Sequence, residues 1–302
     1  MIKQVYSRRT YMNQVADHWK DYECIDAGNG EKLERWKDII LRRPDPQVIW
    51  PIDKEDQLWK SPHAHYHRSK SGGGSWEYKK KFKESWTISY KELRFKVSPT
   101  GFKHTGLFPE QAANWDFMMD KIRNADKEIR VLNLFAYTGG ATMACASAGA
   151  AEVVHVDASK GMVNWAKENM SLSHLEDHKI RFIVDDVLKF VQREKRRGRT
   201  YHAIIMDPPS YGRGPNGEVW KIEEQLYPLV SACMEILDDD PLFFLINSYT
   251  TGFPASVLYN LIHATILRKH PNGYIEAGEI GLPITRSNTT LPCGIYGRWV
   301  KK

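Results

Sequence analysis

Val131-Leu-Asn-Leu-Phe-Ala-Tyr-Thr-Gly-Gly140 is an apolar run closed by two glycines, and Ala141-Thr-Met-Ala-Cys-Ala-Ser-Ala-Gly149 continues it as a small-residue helix. The apolar run reads as a buried parallel strand. A glycine pair at its carboxyl end lets backbone approach a ligand closely and turns the chain into a helix whose free N–H groups face the same space. The pattern predicts a site for a nucleoside-bearing cofactor. It then recurs: Val153-Val-His-Val-Asp157 ends in a carboxylate 18 positions after Gly139, near the roughly twenty-residue offset at which an acid reaches ribose hydroxyls. Ile180-Arg-Phe-Ile-Val-Asp-Asp186 precedes a helix over 187–196, and Ala203-Ile-Ile-Met-Asp-Pro-Pro-Ser-Tyr211 leaves a fourth strand through an acid and two prolines. Alternation continues through a strand at 242–246 and an amphipathic helix over 254–267, with closing strands at 274–280 and 294–300. Right-handed crossovers make of this a twisted, mostly parallel sheet with helices on both faces.

Together these strand ends resemble class I S-adenosylmethionine (SAM)-dependent methyltransferases, and within them the large-subunit ribosomal RNA methyltransferases that modify cytosine or guanine. The likeness rests on LNLFAYTGG, VDAS, VDDVLKF and MDPPSY, preceded by Lys103-His-Thr-Gly-Leu-Phe-Pro-Glu-Gln111, and covers about residues 95–300. It implies an α/β fold with a Rossmann-like class I methyltransferase sheet, mostly parallel, the closing pair forming an antiparallel edge. It also implies SAM as the cofactor. A dinucleotide site is the alternative, but its fingerprint requires G-x-G-x-x-G and this loop reads T-G-G-A-T.

SAM carries no phosphate, so the glycine loop must instead make room for a methionine moiety. Asn133, Phe135, Tyr137, Thr138, Gly139 and Gly140 suit that loop. Asp157 is placed to accept from the ribose hydroxyls with Ser159 nearby, and Asp186 with Val187 to receive the adenine amine and ring. The family's acid-hydrophobe-x-x-Phe phrase favours Asp186 over Asp185. For either acid the alternative is a helix N-cap. Asp207, Pro208 and Tyr211 are the expected reaction centre, at the carboxyl edge of the sheet. The prolines stiffen the exit and leave carbonyls free to accept from a substrate amine, and Tyr211 is placed to stack on an unpaired base. The alternative is a rigid turn with a core tyrosine. Gly212-Arg-Gly-Pro-Asn-Gly217 reads as a mobile substrate loop with Arg213 as a phosphate contact.

Methylating cytosine C5 requires a thiolate to attack C6, and relatives that do so carry a cysteine just after the fifth strand. Here that place reads Ile246-Asn-Ser-Tyr-Thr-Thr-Gly252. Cys145 and Cys233 fall in helices and Cys293 in a late loop, all as packing residues. The departure favours a nitrogen target over carbon, with oxygen a lesser alternative, and makes Asn247 and Tyr249 candidate base-edge contacts.

The chain has 302 residues, 42% hydrophobic, with Lys+Arg 43 against Asp+Glu 37. That length suits a large catalytic domain over 101–302 with a smaller β-rich domain over 1–100 that helps hold substrate. Strands are expected at 22–28, 86–90 and 93–97, with turns at Asn29-Gly30 and 99–101. Ser69-Lys-Ser-Gly-Gly-Gly-Ser75 reads as a flexible loop between Tyr66-His-Arg68 and Trp76-Glu-Tyr-Lys-Lys-Lys-Phe-Lys83. Interleaved aromatics and lysines there suit RNA, or else an ordinary hairpin with its rings turned inward. The basic run Arg193, Lys195, Arg196, Arg197 and Arg199 sits at the end of a helix away from the strand tips, so it is read as a solvated terminus. His63, His65 and His67 alternate along a strand without partnering Cys or carboxylates at coordinating spacing, so no metal is expected. Four scattered cysteines indicate reduced thiols, and neither a signal peptide nor an apolar membrane span is apparent. A cytoplasmic methyltransferase acting on RNA, ribosomal RNA above all, is the resulting expectation. A small-molecule or protein methyltransferase and a catalytically silent RNA-binding module are the alternatives.

Overall fold

The computed structural model describes residues 13–52, 56–69, 73–101, 103–213 and 219–302. Parts of three expected segments lie outside these: the amino terminus, residues 70–72 of the serine-glycine loop, and 214–218 of the loop after Tyr211, together with the Arg213 side chain.

The amino-terminal region contains β1 (Gln14–Val15), β2 (Tyr22–Gly28), β3 (Glu31–Trp36), β4 (Ile39–Pro44), the single turn α1 (Gln57–Lys60), β5 (Ala64–Arg68), β6 (Gly74–Tyr78), β7 (Trp86–Tyr90) and β8 (Leu93–Val97). Asn29 and Gly30 join β2 to β3 with φ of 50° and 77°. Both central residues of such a two-residue turn must be left-handed, which is what an Asn-Gly pair tolerates. A 3₁₀ turn at Pro109–Gln111 then enters α2 (Ala112–Arg123). From there the chain alternates through β9 (Arg130–Leu134), α3 (Gly140–Ser147), β10 (Glu152–Asp157), α4 (Lys160–Leu172), β11 (Ile180–Val184), α5 (Val187–Arg196) and β12 (Ala203–Met206). A short hairpin of β13 (Tyr211–Arg213) and β14 (Val219–Lys221) precedes α6 (Ile222–Cys233), β15 (Phe243–Ser248), α7 (Ala255–Ile262), β16 (Gly273–Ile284) and β17 (Thr289–Lys301). The helix expected over 254–267 is α7 followed by a π-helical turn at His263–Leu267.

Among the described residues thirteen strands form one sheet, in the order β11-β10-β9-β12-β15-β17-β16-β2-β3-β4-β5-β6, with β1 beside β16. The five strands from β11 to β15 are parallel, and β17 runs antiparallel to both β15 and β16. The closing pair therefore forms as expected, but the sheet continues past it. Ile284 on β16 pairs with Cys24 on β2, which joins the amino-terminal strands to the same sheet. At one point the backbones of β16 and β17 approach closely. A Cβ on Gly281 would stand 2.6 Å from the Leu291 carbonyl oxygen, so only glycine lets these backbones pass.

Hydrophobic side chains fill both faces. One core joins Trp36, Ile88, Phe95, Trp115, Met118, Val131 and Leu245, and so spans the amino-terminal strands and the parallel sheet. The other packs Leu132, Val154, Phe190, Ile204, Leu229, Phe244 and Leu258 under α5, α6 and α7. Side chains of this size contribute roughly 1.5–3 kcal/mol each when fully buried. The two cores hold the strand tips rigidly in line. Strand order reverses between β9 and β12, and at such a switch point the loops diverge and leave a crevice at the carboxyl ends.

Candidate active site

The loop from β9 to α3 has an unusual backbone. Phe135, Tyr137 and Gly139 all lie in the left-handed region, with φ of 55°, 51° and 86°. Each non-glycine residue there costs about 1–2 kcal/mol, a strain that persists only where surroundings over-determine it and that clusters at functional sites. Asp157, at the tip of β10, supplies the restraint: its Oδ2 accepts from the Tyr137 N–H and its Oδ1 from the Ser159 N–H, both at 2.8 Å. Thr138 Oγ1 donates to Gly106 O at 2.6 Å, and Asn169 Nδ2 donates to Thr138 O at 2.8 Å. The two glycines divide their work. Gly139 supplies the left-handed turn, whereas a Cβ on Gly140 would lie 2.5 Å from the Trp115 ring. Gly140 thus admits an indole of α2 against the start of α3.

A crevice opens here, with about 470 Å³ of free space that is continuous with solvent. Asn133, Phe135, Tyr137, Thr138 and Gly140 line one side, Asp207 and Asn247 its floor at the ends of β12 and β15, and Leu107, Phe108, Gln111, Trp115 and Met118 the other side. The structure therefore gathers most of the expected loop residues. Several of them already have internal partners. Asn133 Nδ2 donates to Thr142 Oγ1 at 3.0 Å, and that hydroxyl lies 2.9 Å from the Nδ1 of buried His155. Asn247 Nδ2 donates to Gln111 Oε1 at 3.1 Å, Asn114 Nδ2 donates to Asn247 Oδ1 at 2.9 Å, and Gln111 Nε2 donates to the Tyr249 hydroxyl at 2.7 Å.

Outside the crevice lining, Ser159 caps α4, its Oγ accepting from the Met162 N–H at 3.4 Å. Asp186 caps α5 through Oδ1, which accepts from the Lys189 N–H at 2.9 Å, and Val187 is buried as the first residue of that helix. Asp185 pairs with Arg193. Pro208 is buried and Tyr211 is 52% exposed on the β13–β14 hairpin. An exposed Tyr211 sets aside the core-tyrosine alternative. Of the proline carbonyls, Pro209 O accepts from Trp220 Nε1 at 2.6 Å and so has a partner within the protein. Trp220 also packs edge-on against Phe135, centroids 4.9 Å apart.

Electrostatics single out Asp207. Its Oδ1 is shut from solvent and has no hydrogen-bond partner among the described residues. Burial, reinforced by the charge of Glu110, pushes its carboxyl up to about 7. Burial likewise raises Glu110 and Asp157, and lifts the Tyr249 phenol well above its ordinary range.

Phe108, Gln111, Trp115 and Trp220 carry no expected role, yet they complete the crevice and its rim. The phrase ending Phe-Pro-Glu-Gln111 signals the first two. For Trp220 no local signal exists, because only the pairing of Gly212 with Trp220 brings it over Phe135. Cys293, expected in a loop, lies in β17; its thiol donates to Leu291 O at 3.5 Å and is held protonated by burial and Glu110. Four of the five residues of the basic run are paired, Arg193 with Asp185, Lys195 with Glu235, Arg197 with Glu194, and Arg199 with buried Glu152 and Glu194. His65 and His67 do meet carboxylates, contrary to the spacing argument, at 2.8 Å from Glu31 and Glu77. Strand pairing supplies what sequence distance hid.

Residues 59–225 match the family model described as S-adenosylmethionine-dependent methyltransferase. The chain is 35% identical to the SAM-dependent methyltransferase of Agrobacterium tumefaciens whose crystal structure is known, over 99% of both chains, with a TM-score of 0.88. It is 28% identical to ribosomal RNA large subunit methyltransferase K of Neisseria meningitidis over 73% of this chain and 64% of that protein. To ribosomal RNA large subunit methyltransferase K/L of Shewanella frigidimarina it is 32% identical over 48% of this chain and 20% of that protein. The chain thus spans between a fifth and just under two thirds of these curated relatives.

Proposed function

This chain belongs to the S-adenosylmethionine-dependent methyltransferase family, and from that premise we propose that it methylates a base nitrogen of RNA, with ribosomal RNA as the substrate. The observation that carries this reading is the exit of β12. Asp207 lies on the crevice floor with a buried carboxylate oxygen that has no hydrogen-bond partner among the described residues, next to a proline pair and the exposed ring of Tyr211.

The residues present fit SAM. Asp157 has given two backbone N–H groups one bond to each oxygen, and a carboxylate has about four acceptor positions, so capacity remains for the two ribose hydroxyls. Asp186 engages the α5 backbone through Oδ1, which leaves Oδ2 with Val187 for the adenine amine and ring. Asn133, Tyr137 and Gly140 border the space for the methionine moiety. The bound cofactor supplies an electrophilic sulfonium methyl. What the protein contributes is alignment of a lone pair with it, which is worth several kcal/mol of the barrier. Asp207 Oδ1 accepts from a base amine, Tyr211 stacks on the base, and Arg213, the last residue of β13, is assigned to the phosphate chain. Asn247 and Tyr249, tied to Gln111, frame the base pocket. Carbon methylation is disfavoured because Cys293 is protonated and donates within β17.

RNA is supported by the names of the curated relatives. It is supported also by residues 1–100, read as the substrate-holding domain beside the methyltransferase domain of 101–302. There Tyr78, 59% exposed, leads into Lys79, Lys80 and Lys81 on the surface. Among the described residues no helix is long and apolar enough to cross a membrane, and a ribosomal substrate would place the enzyme in the cytoplasm. The test is mass spectrometry of ribosomal RNA nucleosides from cells with and without this gene. Loss of one methylated nucleoside is expected. An unchanged inventory, with S-adenosylhomocysteine still bound by the purified protein, would move the substrate to a small molecule or protein.

A further inference from the structure

Cations beside the crevice mostly have acidic partners. Arg43 grips Glu34 with Nε at 2.6 Å and Nη2 at 2.7 Å, and Lys32 lies 3.4 Å from Asp45 and 3.7 Å from Glu34. Lys103 and Arg68 differ, for neither has a carboxylate within ion-pair reach among the described residues. Lys103 is half-buried. An ammonium withdrawn from water without a counter-ion destabilises a fold, so its presence calls for a reason.

Backbone hydrogen bonds fix Lys103 in a turn next to the crevice-lining segment, and the hairpin that carries Arg68 docks on the same turn. Arg43 Nη1 donates to Lys103 O at 2.8 Å, and the Thr100 N–H and Oγ1 both donate to His104 O, at 3.1 and 2.9 Å. Trp76 Nε1 donates to Thr100 O at 2.8 Å, which seats the β5–β6 hairpin on this turn, and Arg68 ends β5 in the same hairpin. The neighbouring His104 ring lies 5.4 Å from Phe108, which lines the crevice. Burial and the like charges of Lys32, Arg43 and Arg68 outweigh the opposing pull of Asp45 and hold the Lys103 ammonium below the usual lysine range. Burial, Arg43 and Lys103 push His104 down to about 4, so its ring is neutral at pH 7. Four cations, Lys32, Arg43, Lys103 and Arg68, stand against the two carboxylates of Glu34 and Asp45.

We propose that Lys103 and Arg68 form a binding site for a phosphodiester of the RNA backbone, flanking the nucleotide that enters the crevice. This rests on the RNA reading above. A base drawn out of its stack brings its own phosphates to the mouth of the pocket, and backbone contacts set register there. A lysine point charge and an arginine fork are the side chains suited to that contact.

The experiment measures binding of an unmethylated large-subunit rRNA transcript across a salt series for the wild type, Lys103→Ala, Arg68→Ala and Lys91→Ala. Lys91 is a control cation already paired with Asp116 at 2.6 Å. Lys103→Ala and Arg68→Ala should each weaken binding at least several-fold and reduce the slope of log K against log salt by about one. Lys91→Ala should do neither. S-adenosylhomocysteine affinity should be unchanged in all, and Lys103→Ala should melt no lower than wild type because its ammonium has no partner to lose. Inorganic phosphate should bind the wild type far more weakly than the transcript. Equal losses in all three variants would mean diffuse attraction and would overturn the site, as would undiminished binding by Lys103→Ala and Arg68→Ala. Tight phosphate binding would overturn the RNA backbone as its ligand. A wild type that binds no RNA at all would instead sink the reading on which the site depends.

Discussion

Asp207 shows how the burial of a single side chain couples its ionisation to stability. Its carboxyl is pushed up to about 7 by burial and by Glu110, against roughly 3.9 for an aspartate in an unfolded chain. Between those values the folded state holds a proton that the unfolded state has released, so stability is full below about pH 4 and falls as pH rises to about 7. The loss is at most about 4 kcal/mol at three pKa units. Denaturant midpoints measured from pH 4 to 8 should therefore decline in the wild type relative to Asp207→Asn, and parallel curves for the two would refute the raised carboxyl. The position of Asp207 at a strand tip was readable from Met-Asp-Pro-Pro. Its missing partner was not, since that depends on what Glu110 and the 3₁₀ turn bring to the far wall. The same holds for Asn247: its type and strand-end position were visible, but its bonds to Gln111 and Asn114 come from residues more than a hundred positions away.

Among the elements, the parallel strands and α5 follow their sequence signals closely, because apolar runs and capping acids are local properties. Asp186 both ends the turn from β11 and accepts from the Lys189 N–H, so the boundary of α5 at Val187 was fixed in place by one residue. The β13–β14 hairpin lacked any such signal: its strands are three residues long, and pairing alone makes them strands. At the α2–α3 contact, Gly140 is set by packing. A methyl there meets the Trp115 ring at 2.5 Å, and overpacking of this kind costs typically 1–3 kcal/mol. Gly140→Ala should lower the melting temperature, and Trp115→Leu should make the second substitution cheaper than the sum of the two. Strict additivity in that double-mutant cycle would show that the indole is not what excludes the methyl.

At the scale of the molecule, the pairing of β16 with β2 and the shared core of Trp36, Phe95, Trp115 and Leu245 tie the amino-terminal strands to the catalytic sheet. Such continuity favours a single cooperative transition. Tryptophan fluorescence, contributed in part by Trp36, Trp59 and Trp86, should track far-UV circular dichroism in urea, and S-adenosylhomocysteine should shift both midpoints together. An early fluorescence transition insensitive to that ligand would show the amino-terminal strands unfolding on their own. The sequence by itself determined the alternating strands and helices, the glycine turn and the acids at the strand tips, because each is encoded within a few residues by periodicity, handedness and capping. Only the tertiary structure decided that Trp115 lines the crevice and Trp220 packs on Phe135 at its edge, that β16 pairs with β2, and that Lys103 stands half-buried beside other cations. Those outcomes depend on which distant side chains arrive at the same place, and a linear pattern carries no record of that.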